Sequence, residues 1–227
     1  MDAGDLSSLV VAVDGTSGSG KSSTCRAVAD RLGLRYLDTG AMYRAVAWWM
    51  LQHDVNIYEV NEVSAHAATP RLESGTDPLN PTITLDGVDV AVAIRSDAVN
   101  AAVSPVSAVP AVRARLVELQ RAIIAGGGIV VEGRDIGSVV WPDAGLKVYL
   151  TADPAARAAR RAAEAGSDDV TATQESLLHR DRIDSGRAVA PLTMPDGAVH
   201  IDTTDLTLDQ VVDRVVSLAT APADVSP

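Results

Sequence analysis

The sequence has one cysteine, two lysines and no apolar run long enough to cross a membrane. A lone Cys25 cannot form an intrachain disulfide, which agrees with a reducing compartment, and its place early in a predicted helix favours packing over catalysis. Apolar runs such as that at 9–13 are far shorter than the roughly 18 residues that span a bilayer. Residues 1–8 carry two carboxylates and no basic side chain, which does not fit a targeting signal. We therefore expect a cytoplasmic protein without a membrane segment.

Positive charge is also scarce, because 19 lysines and arginines stand against 30 acidic residues and give a net charge of −11. This balance argues against a protein that binds nucleic acid through diffuse positive charge. An anionic ligand would have to be held by a local group of basic side chains. Nearly all of these are arginines, yet Lys21 lies inside a glycine-rich loop. That position calls for a functional reason.

The order of apolar segments predicts an α/β fold. Short buried strands are expected at 9–13, at 34–37, up to Glu132, at 146–151 and at 198–202, with helical segments between them. Asp153-Pro154 and the pair Thr207 and Gln210 carry signals that begin a helix. Such alternation predicts a five-stranded parallel sheet flanked by helices, with a ligand crevice beyond the carboxyl ends of the strands.

Two segments depart from this alternation. The stretch 81–94 is rich in β-formers around an Asp86-Gly87 turn, and it predicts a small β-rich subdomain within an insertion at about 60–108. The segment 154–187 holds six arginines and a similar number of carboxylates. We interpret it as a helical lid, although a solvated, ion-paired helical hairpin would have the same composition. The prediction is one domain over 1–227, with its core at about 1–59, 109–153 and 188–227.

The loop after the first predicted strand matches the pattern G-x-x-x-x-G-K-[ST] and opens a predicted helix. Backbone N–H groups in such a loop converge on phosphate oxygens, and the alternative of a ligand-free glycine turn does not explain its lysine. Lys21 would reach the β and γ phosphates, and the Ser22 hydroxyl would join the coordination of Mg²⁺. We therefore expect ATP with Mg²⁺ to bind the residues of this loop: Gly15, Thr16, Ser17, Gly18, Ser19, Gly20, Lys21, Ser22 and Ser23.

Several arginines fall at predicted strand ends or on helices that face the crevice, where planar donors suit phosphate oxygens. They are Arg44, Arg113, Arg134, Arg180 and Arg187. A phosphate monoester has a second pKa of about 6 and is already a nucleophilic anion at pH 7, whereas an alcohol needs a general base. The arginines therefore favour phosphoryl transfer to a phosphate acceptor by positioning and charge neutralisation. Arg157, Arg160 and Arg161 share a helix turn and could close over ATP.

Four segments, in this order, resemble the bacterial cytidylate kinase family: GTSGSGKSS at 15–23, LDTGAMYR at 37–44, VVEGRDIGSVVWPDA at 130–144 and RDRIDSGRAVAPL at 180–192. The first is a generic P-loop, and the other three are specific to that family. The resemblance covers nearly the whole chain. It implies the nucleoside monophosphate kinase type of P-loop fold and transfer of the ATP γ-phosphoryl group to CMP or dCMP.

The resemblance also implies roles for single residues. The CMP phosphate would be held by Arg44, Arg134 and Arg187, and the cytosine edge would be read by Ser104, Arg113 and Asp135. Asp184 and Arg180 would lie near the sugar and the transferring group, with a further hydroxyl contact from Thr39. The catalytic set would be Lys21, Arg134, Arg180, Asp184 and Arg187, and ATP would also contact Arg157 and Arg161. Two departures from common family patterns, Thr16 and Glu132, remove no needed group.

Two other functions share the P-loop. A shikimate-type alcohol kinase should need a carboxylate base at its acceptor, and the β-rich insertion speaks against it. A nucleotide-sensing module would bind ATP without transfer, and the arginine set argues against that. The sequence thus predicts a monomeric enzyme with small nucleotides as its only partners, namely ATP, CMP and dCMP.

Overall fold

The core of the molecule is a parallel five-stranded sheet, seen in a computed structural model that describes residues 6–166, 168–186 and 192–221. With strands numbered in chain order over the whole chain, this sheet has the order β2-β6-β1-β7-β8. Its members are β1 (Val10–Gly15), β2 (Arg35–Asp38), β6 (Ile129–Glu132), β7 (Leu146–Thr151) and β8 (Val199–Asp202). All five predicted strands and their parallel pairing are confirmed.

Helices cover both faces of the sheet, which explains why β1 is apolar at successive positions. Val10 and Ala12 pack into one apolar cluster, and Val11 and Val13 pack into another on the opposite face. The helices are α1 (Lys21–Leu32), α2 (Thr39–Gln52), α3 (Val60–His66), α4 (Asp97–Ala108), α5 (Pro110–Ile124), α6 (Pro154–Ala165), α7 (Val170–Ser185) and α8 (Leu208–Ala219). Within the described part of the chain, no helix has the length and apolarity needed to cross a membrane.

The predicted helix boundaries follow local capping. Gly33 ends α1 in the left-handed region at φ 65°, which a glycine adopts without strain. The Asp153 side chain caps α6 by accepting a hydrogen bond from the Ala155 N–H at 2.8 Å. Thr207 and Gln210 form the predicted capping box at the start of α8. Cys25 is buried in α1 with a free thiol, as expected for a packing residue.

The segment between α2 and α5 contains a small antiparallel sheet of β3 (Leu72–Ser74), β4 (Ile83–Leu85) and β5 (Val88–Asp89). The Asp86-Gly87 turn is confirmed, with positive φ at both residues. Within the β-rich stretch expected at 81–94, the strands extend only as far as Asp89, whose carboxylate accepts the Ala91 N–H at 2.8 Å. Residues 93–95 form a 3₁₀ turn, and α3 and α4 complete the segment.

The segment predicted as a lid is a helical hairpin of α6 and α7. Its root lies against the P-loop, since a methyl group added at Gly18 would come within 3.2 Å of Arg157 Cβ. The Asp181 carboxylate on α7 accepts the Ser17 N–H at 3.1 Å. The helical content is therefore confirmed, and the hairpin is joined directly to the phosphate-binding loop.

Candidate active site

A cavity of about 450 Å³ opens where the carboxyl ends of the strands meet the P-loop, α2, α4 and α7. It brings together most of the predicted site residues: Ser17, Gly18, Gly20, Lys21, Ser22, Ser23, Thr39, Arg44, Ser104, Arg113, Arg134, Asp135, Arg161, Arg180 and Asp184. Gly15, Thr16 and Ser19 belong to the loop but do not line the cavity, and neither does Arg157. The predicted residue Arg187 lies outside the described residues.

The P-loop needs glycine where it turns from β1 into α1. A Cβ at Gly15 would lie 2.0 Å from the Leu150 carbonyl oxygen of β7, so no side chain fits there. Gly20, at φ 84°, precedes the first residue of α1. Lys21 is buried, and its Nζ donates to the Thr16 carbonyl at 2.6 Å. Burial and the nearby Arg134 lower the pKa of Lys21, so an anionic ligand would stabilise its charged form.

Glu132 lies at the end of β6 beside the P-loop, and sequence reasoning gave it no role. Its Oε1 accepts hydrogen bonds from the Ser22 hydroxyl and from the Tyr36 hydroxyl, both at 2.8 Å. Its Oε2 is buried and has no hydrogen-bond partner among the described residues. Burial raises the pKa of Glu132, and the neighbouring Asp38 adds to this effect. Glu132 thus lines the cavity and has one carboxylate oxygen for which no described residue provides a donor.

Five arginines lie near one another in the cavity, namely Arg44, Arg95, Arg134, Arg161 and Arg180. Arg44 is buried, donates to Asn100 Oδ1 at 2.7 Å, and has its pKa lowered to about 9 by burial and by the charges of Arg180, Arg95 and Arg161. Burial and the charge of Arg134 lower the pKa of Arg180 to about 10. Arg95, in the 3₁₀ turn before α4, was not predicted as a site residue, although it lines the same cavity.

Arg134 joins three parts of the site, as its place after β6 suggested. Its Nη1 donates to the Gly15 carbonyl at 2.9 Å, and its Nε donates to Asp184 Oδ2 at 3.2 Å. It thereby connects the P-loop, β6 and α7 at the edge of the cavity. The guanidinium is partly exposed to the cavity, so part of its donor edge can meet a ligand.

Arg113 and Asp135 form a buried ion pair, with side chains 4% and 6% exposed. The Arg113 guanidinium lies 5.6 Å above the centroid of the Tyr43 ring. The turn after Asp135 is held by Asp14, whose two carboxylate oxygens accept the Ile136 and Gly137 N–H groups at 2.8 Å. Burial raises the pKa of Asp14 to about 6. Asp14 was missed as a supporting residue, and its only sequence signal is a carboxylate at the end of an apolar strand.

Of the three arginines on the first turns of α6, only Arg161 lines the cavity. Arg157 is buried and donates to the Ser17 carbonyl at 2.9 Å, to the Ala152 carbonyl at 3.1 Å and to the Asp181 carboxylate. Arg160 instead donates to the Thr203 carbonyl at 2.6 Å. These two side chains hold the hairpin against the P-loop and the β8–α8 connection.

The comparisons with known proteins agree with this geometry. The family model described as cytidylate kinase matches residues 11–221. A cytidylate kinase of Streptomyces griseus is 56% identical over 214 residues, covering 93% of each chain. A cytidylate kinase of Rhodococcus opacus is 49% identical over 215 residues, covering 92% of this chain and 94% of its own.

A solved structure of an uncharacterized protein from Eubacterium ventriosum has a TM-score of 0.51 at 10% identity, covering 94% of this chain and 99% of its own, which supports the fold alone. The family match and the sequence identities over most of the chain are stronger evidence for the family than this structural similarity. They show that the chain belongs to the cytidylate kinase family, whose members are kinases acting on a nucleoside monophosphate.

Proposed function

We propose that the protein transfers the γ-phosphoryl group of ATP to CMP and dCMP, with Mg²⁺ and without a dedicated general base. The observation that carries this proposal is the arginine cluster in the cavity of an otherwise acidic chain. Arg44 and Arg180 have lowered pKa values chiefly because they are buried and because other arginines lie near them. Arg180 Nε is buried without a hydrogen-bond partner among the described residues. Such a site is stabilised by an anion.

The two nucleotides would occupy the two ends of the cavity. ATP phosphates fit the P-loop end, where Lys21 and the first turn of α1 offer an ammonium and backbone N–H groups. The monophosphate fits the end lined by Arg44 and Arg95. Arg134 lies between these ends because it contacts both Gly15 and Asp184. This arrangement supports direct transfer between the two phosphates.

The acceptor base would lie against the pocket that contains Ser104, Arg113 and Asp135. A buried arginine and a buried carboxylate offer both a donor and an acceptor to the polar edge of cytosine. Because the two groups already pair with each other, a base would have to match the donor and acceptor positions that remain on them. Thr39 donates to the Glu132 carbonyl at 2.6 Å and lines the same cavity, where its oxygen can also accept a hydrogen bond.

The residues beside Lys21 fit Mg²⁺. This ion prefers oxygen ligands, keeps several waters, and is usually held by one or two carboxylates with substrate phosphates. Ser22 Oγ and the Glu132 carboxylate provide these oxygens, and Glu132 Oε2 lacks a donor among the described residues. When bound, the ion would neutralise charge on the transferring phosphate. Ser22 and Glu132 would hold it from the protein side.

Catalysis would come from holding and neutralising charge. The monophosphate is already ionised at neutral pH, so the site needs no group to remove a proton. Lys21, Arg134 and Arg180 would meet charge on the transferring group, and Asp184 would orient Arg134 through their 3.2 Å hydrogen bond. We propose that α6 and α7 act as a lid that brings Arg161 and Arg180 over the phosphates. The contacts of Arg157 support a structural role at the root of that lid.

The remaining predictions concern one further site residue, the division of the chain, its oligomeric state, its location and its partners. The Arg187 contact to the CMP phosphate belongs to the proposal by motif alone. The division into core, insertion and lid, the monomeric state, the cytoplasmic location and the absence of a nucleic-acid partner also stay predictions.

The function is tested by a coupled assay of ADP release with CMP, dCMP, UMP, AMP and shikimate as acceptors. We expect turnover with CMP and dCMP, and Arg134→Ala should lower it by about 10²- to 10³-fold with the fold intact. Arg71→Ala is the matched control, because the Arg71 side chain is 81% exposed and does not line the cavity. Preference for shikimate or AMP, or ATP binding without any transfer, would overturn the assignment.

A further inference from the structure

The two oxygens of the Glu132 carboxylate differ in their hydrogen bonds. Both of its described hydrogen bonds fall on Oε1, and Oε2 is left as a buried acceptor without a donor. Leaving such a group unpaired costs about 1–3 kcal/mol, and more when the group is charged. Glu132 lines the ATP end of the cavity, so its second oxygen is placed to accept a hydrogen bond from a ligand or its hydration shell. The arrangement of the two oxygens therefore needs an explanation.

Tyr36 is one of the two residues whose hydroxyl groups determine this arrangement of the Glu132 oxygens; the other is Ser22. Tyr36 is 1% exposed and packs in the apolar cluster on the α1 side of the sheet. Its backbone N–H donates at 2.8 Å to the carbonyl of Thr76, in the loop between β3 and β4. The packing of its ring and the hydrogen bond of its backbone hold Tyr36 in place. Its hydroxyl therefore lies in a defined position, 2.8 Å from Glu132 Oε1.

We propose that Tyr36 is a positioning residue, which orients the Glu132 carboxylate so that Oε2 is presented to the hydrated Mg²⁺ of bound ATP. The inference rests on the proposed use of ATP with Mg²⁺. Glutamate has three side-chain torsions, and fixing them costs conformational entropy. The Tyr36 and Ser22 hydroxyls converge on one oxygen and fix the plane of the carboxylate before any ligand arrives. Tyr36 therefore acts through Glu132 and does not contact the nucleotide.

The test measures Mn²⁺ affinity by electron paramagnetic resonance, in the full chain saturated with a non-hydrolysable ATP analogue. Tyr36→Phe keeps the ring and removes only the hydroxyl. Loss of a group that orients a metal-binding side chain typically weakens metal affinity by 10- to 100-fold, and we expect about 10-fold here. Affinity for the metal-free analogue should be unchanged. Tyr58→Phe is the control, because Tyr58 is 74% exposed.

A second variant separates positioning from packing. Glu132→Gln should also weaken Mn²⁺ binding, and adding Tyr36→Phe to it should have no further effect if Tyr36 acts through Glu132. The inference is overturned if Tyr36→Phe leaves Mn²⁺ affinity unchanged, if the two substitutions act independently, or if the metal-free analogue is weakened equally.

The proposed function fails separately from this inference. If the unmodified chain binds Mn²⁺ with the analogue but does not phosphorylate CMP, the proposed acceptor is wrong, while the proposed role of Tyr36 is not affected. An unmodified chain that does not bind Mn²⁺ with the analogue overturns both.

Discussion

Replacing Arg113 with methionine tests the desolvated pair at the acceptor end of the site. Methionine has a similar length but no charge, so Asp135 would keep its negative charge in a place where it is 6% exposed. Removing one partner of a buried ion pair typically costs about 3–5 kcal/mol. For a chain of this size, each kcal/mol lowers the melting temperature by about 2–4 °C. Arg113→Met should therefore lower the melting temperature by about 6–20 °C.

The assay is thermal unfolding followed by circular dichroism. Adding Asp135→Asn should recover part of the loss, since the buried negative charge that faced Arg113 is then gone. Arg71→Met breaks the exposed Arg71–Glu73 pair and should change the melting temperature by less than about 4 °C, because exposed pairs contribute about 0–1 kcal/mol. A melting temperature for Arg113→Met within the range of that control would refute the reasoning.

Two further perturbations address the end of β1, at Asp14 and Gly15, and the start of α1 at Gly20. Burial raises the Asp14 pKa from 3.8 to about 6, so the native state binds this proton more tightly and stability falls as the pH rises from about 4 to 6. Measured by denaturant unfolding, Asp14→Asn should lack this pH-dependent component, about 3 kcal/mol in the free energy of unfolding. Parallel profiles of that free energy against pH for the unmodified chain and the variant would contradict the prediction. Gly15→Ala should cost more than about 4 kcal/mol in the same unfolding assay, because its Cβ would meet the Leu150 carbonyl. Gly20→Ala has open space and should cost only about 1–2 kcal/mol of left-handed strain, and equal losses would refute the steric argument.

Elements with a local signal were predictable from the sequence. The strands of the parallel sheet are short apolar runs because both of their faces are buried, and α8 begins at its capping box. The P-loop is readable because only glycine fits at Gly15 and because one of the two lysines of the chain stands inside this glycine-rich loop. These features depend on neighbours in the chain, so the chain order reveals them.

Features that depend on distant contacts were not predictable. Arg157 and Arg161 share one helix and the same residue type, yet Arg157 is fixed by Asp181 and the P-loop while Arg161 faces the cavity. Glu132 and Tyr36 are 96 residues apart in sequence, and only the pairing of β2 with β6 brings them together. In the β-rich stretch 81–94 the last strand ends at Asp89, where the Asp89 side chain accepts the Ala91 N–H, and composition alone does not give that end point.

The most direct test of a site that joins two phosphates without a base compares CMP with cytidine as the acceptor, with ATP and Mg²⁺, by quantifying the nucleotide products. We predict CDP from CMP and no CMP from cytidine, because cytidine lacks the phosphate that the arginines would bind and its hydroxyl group would need a general base. Formation of CMP from cytidine at a rate comparable with that of CDP from CMP would contradict it.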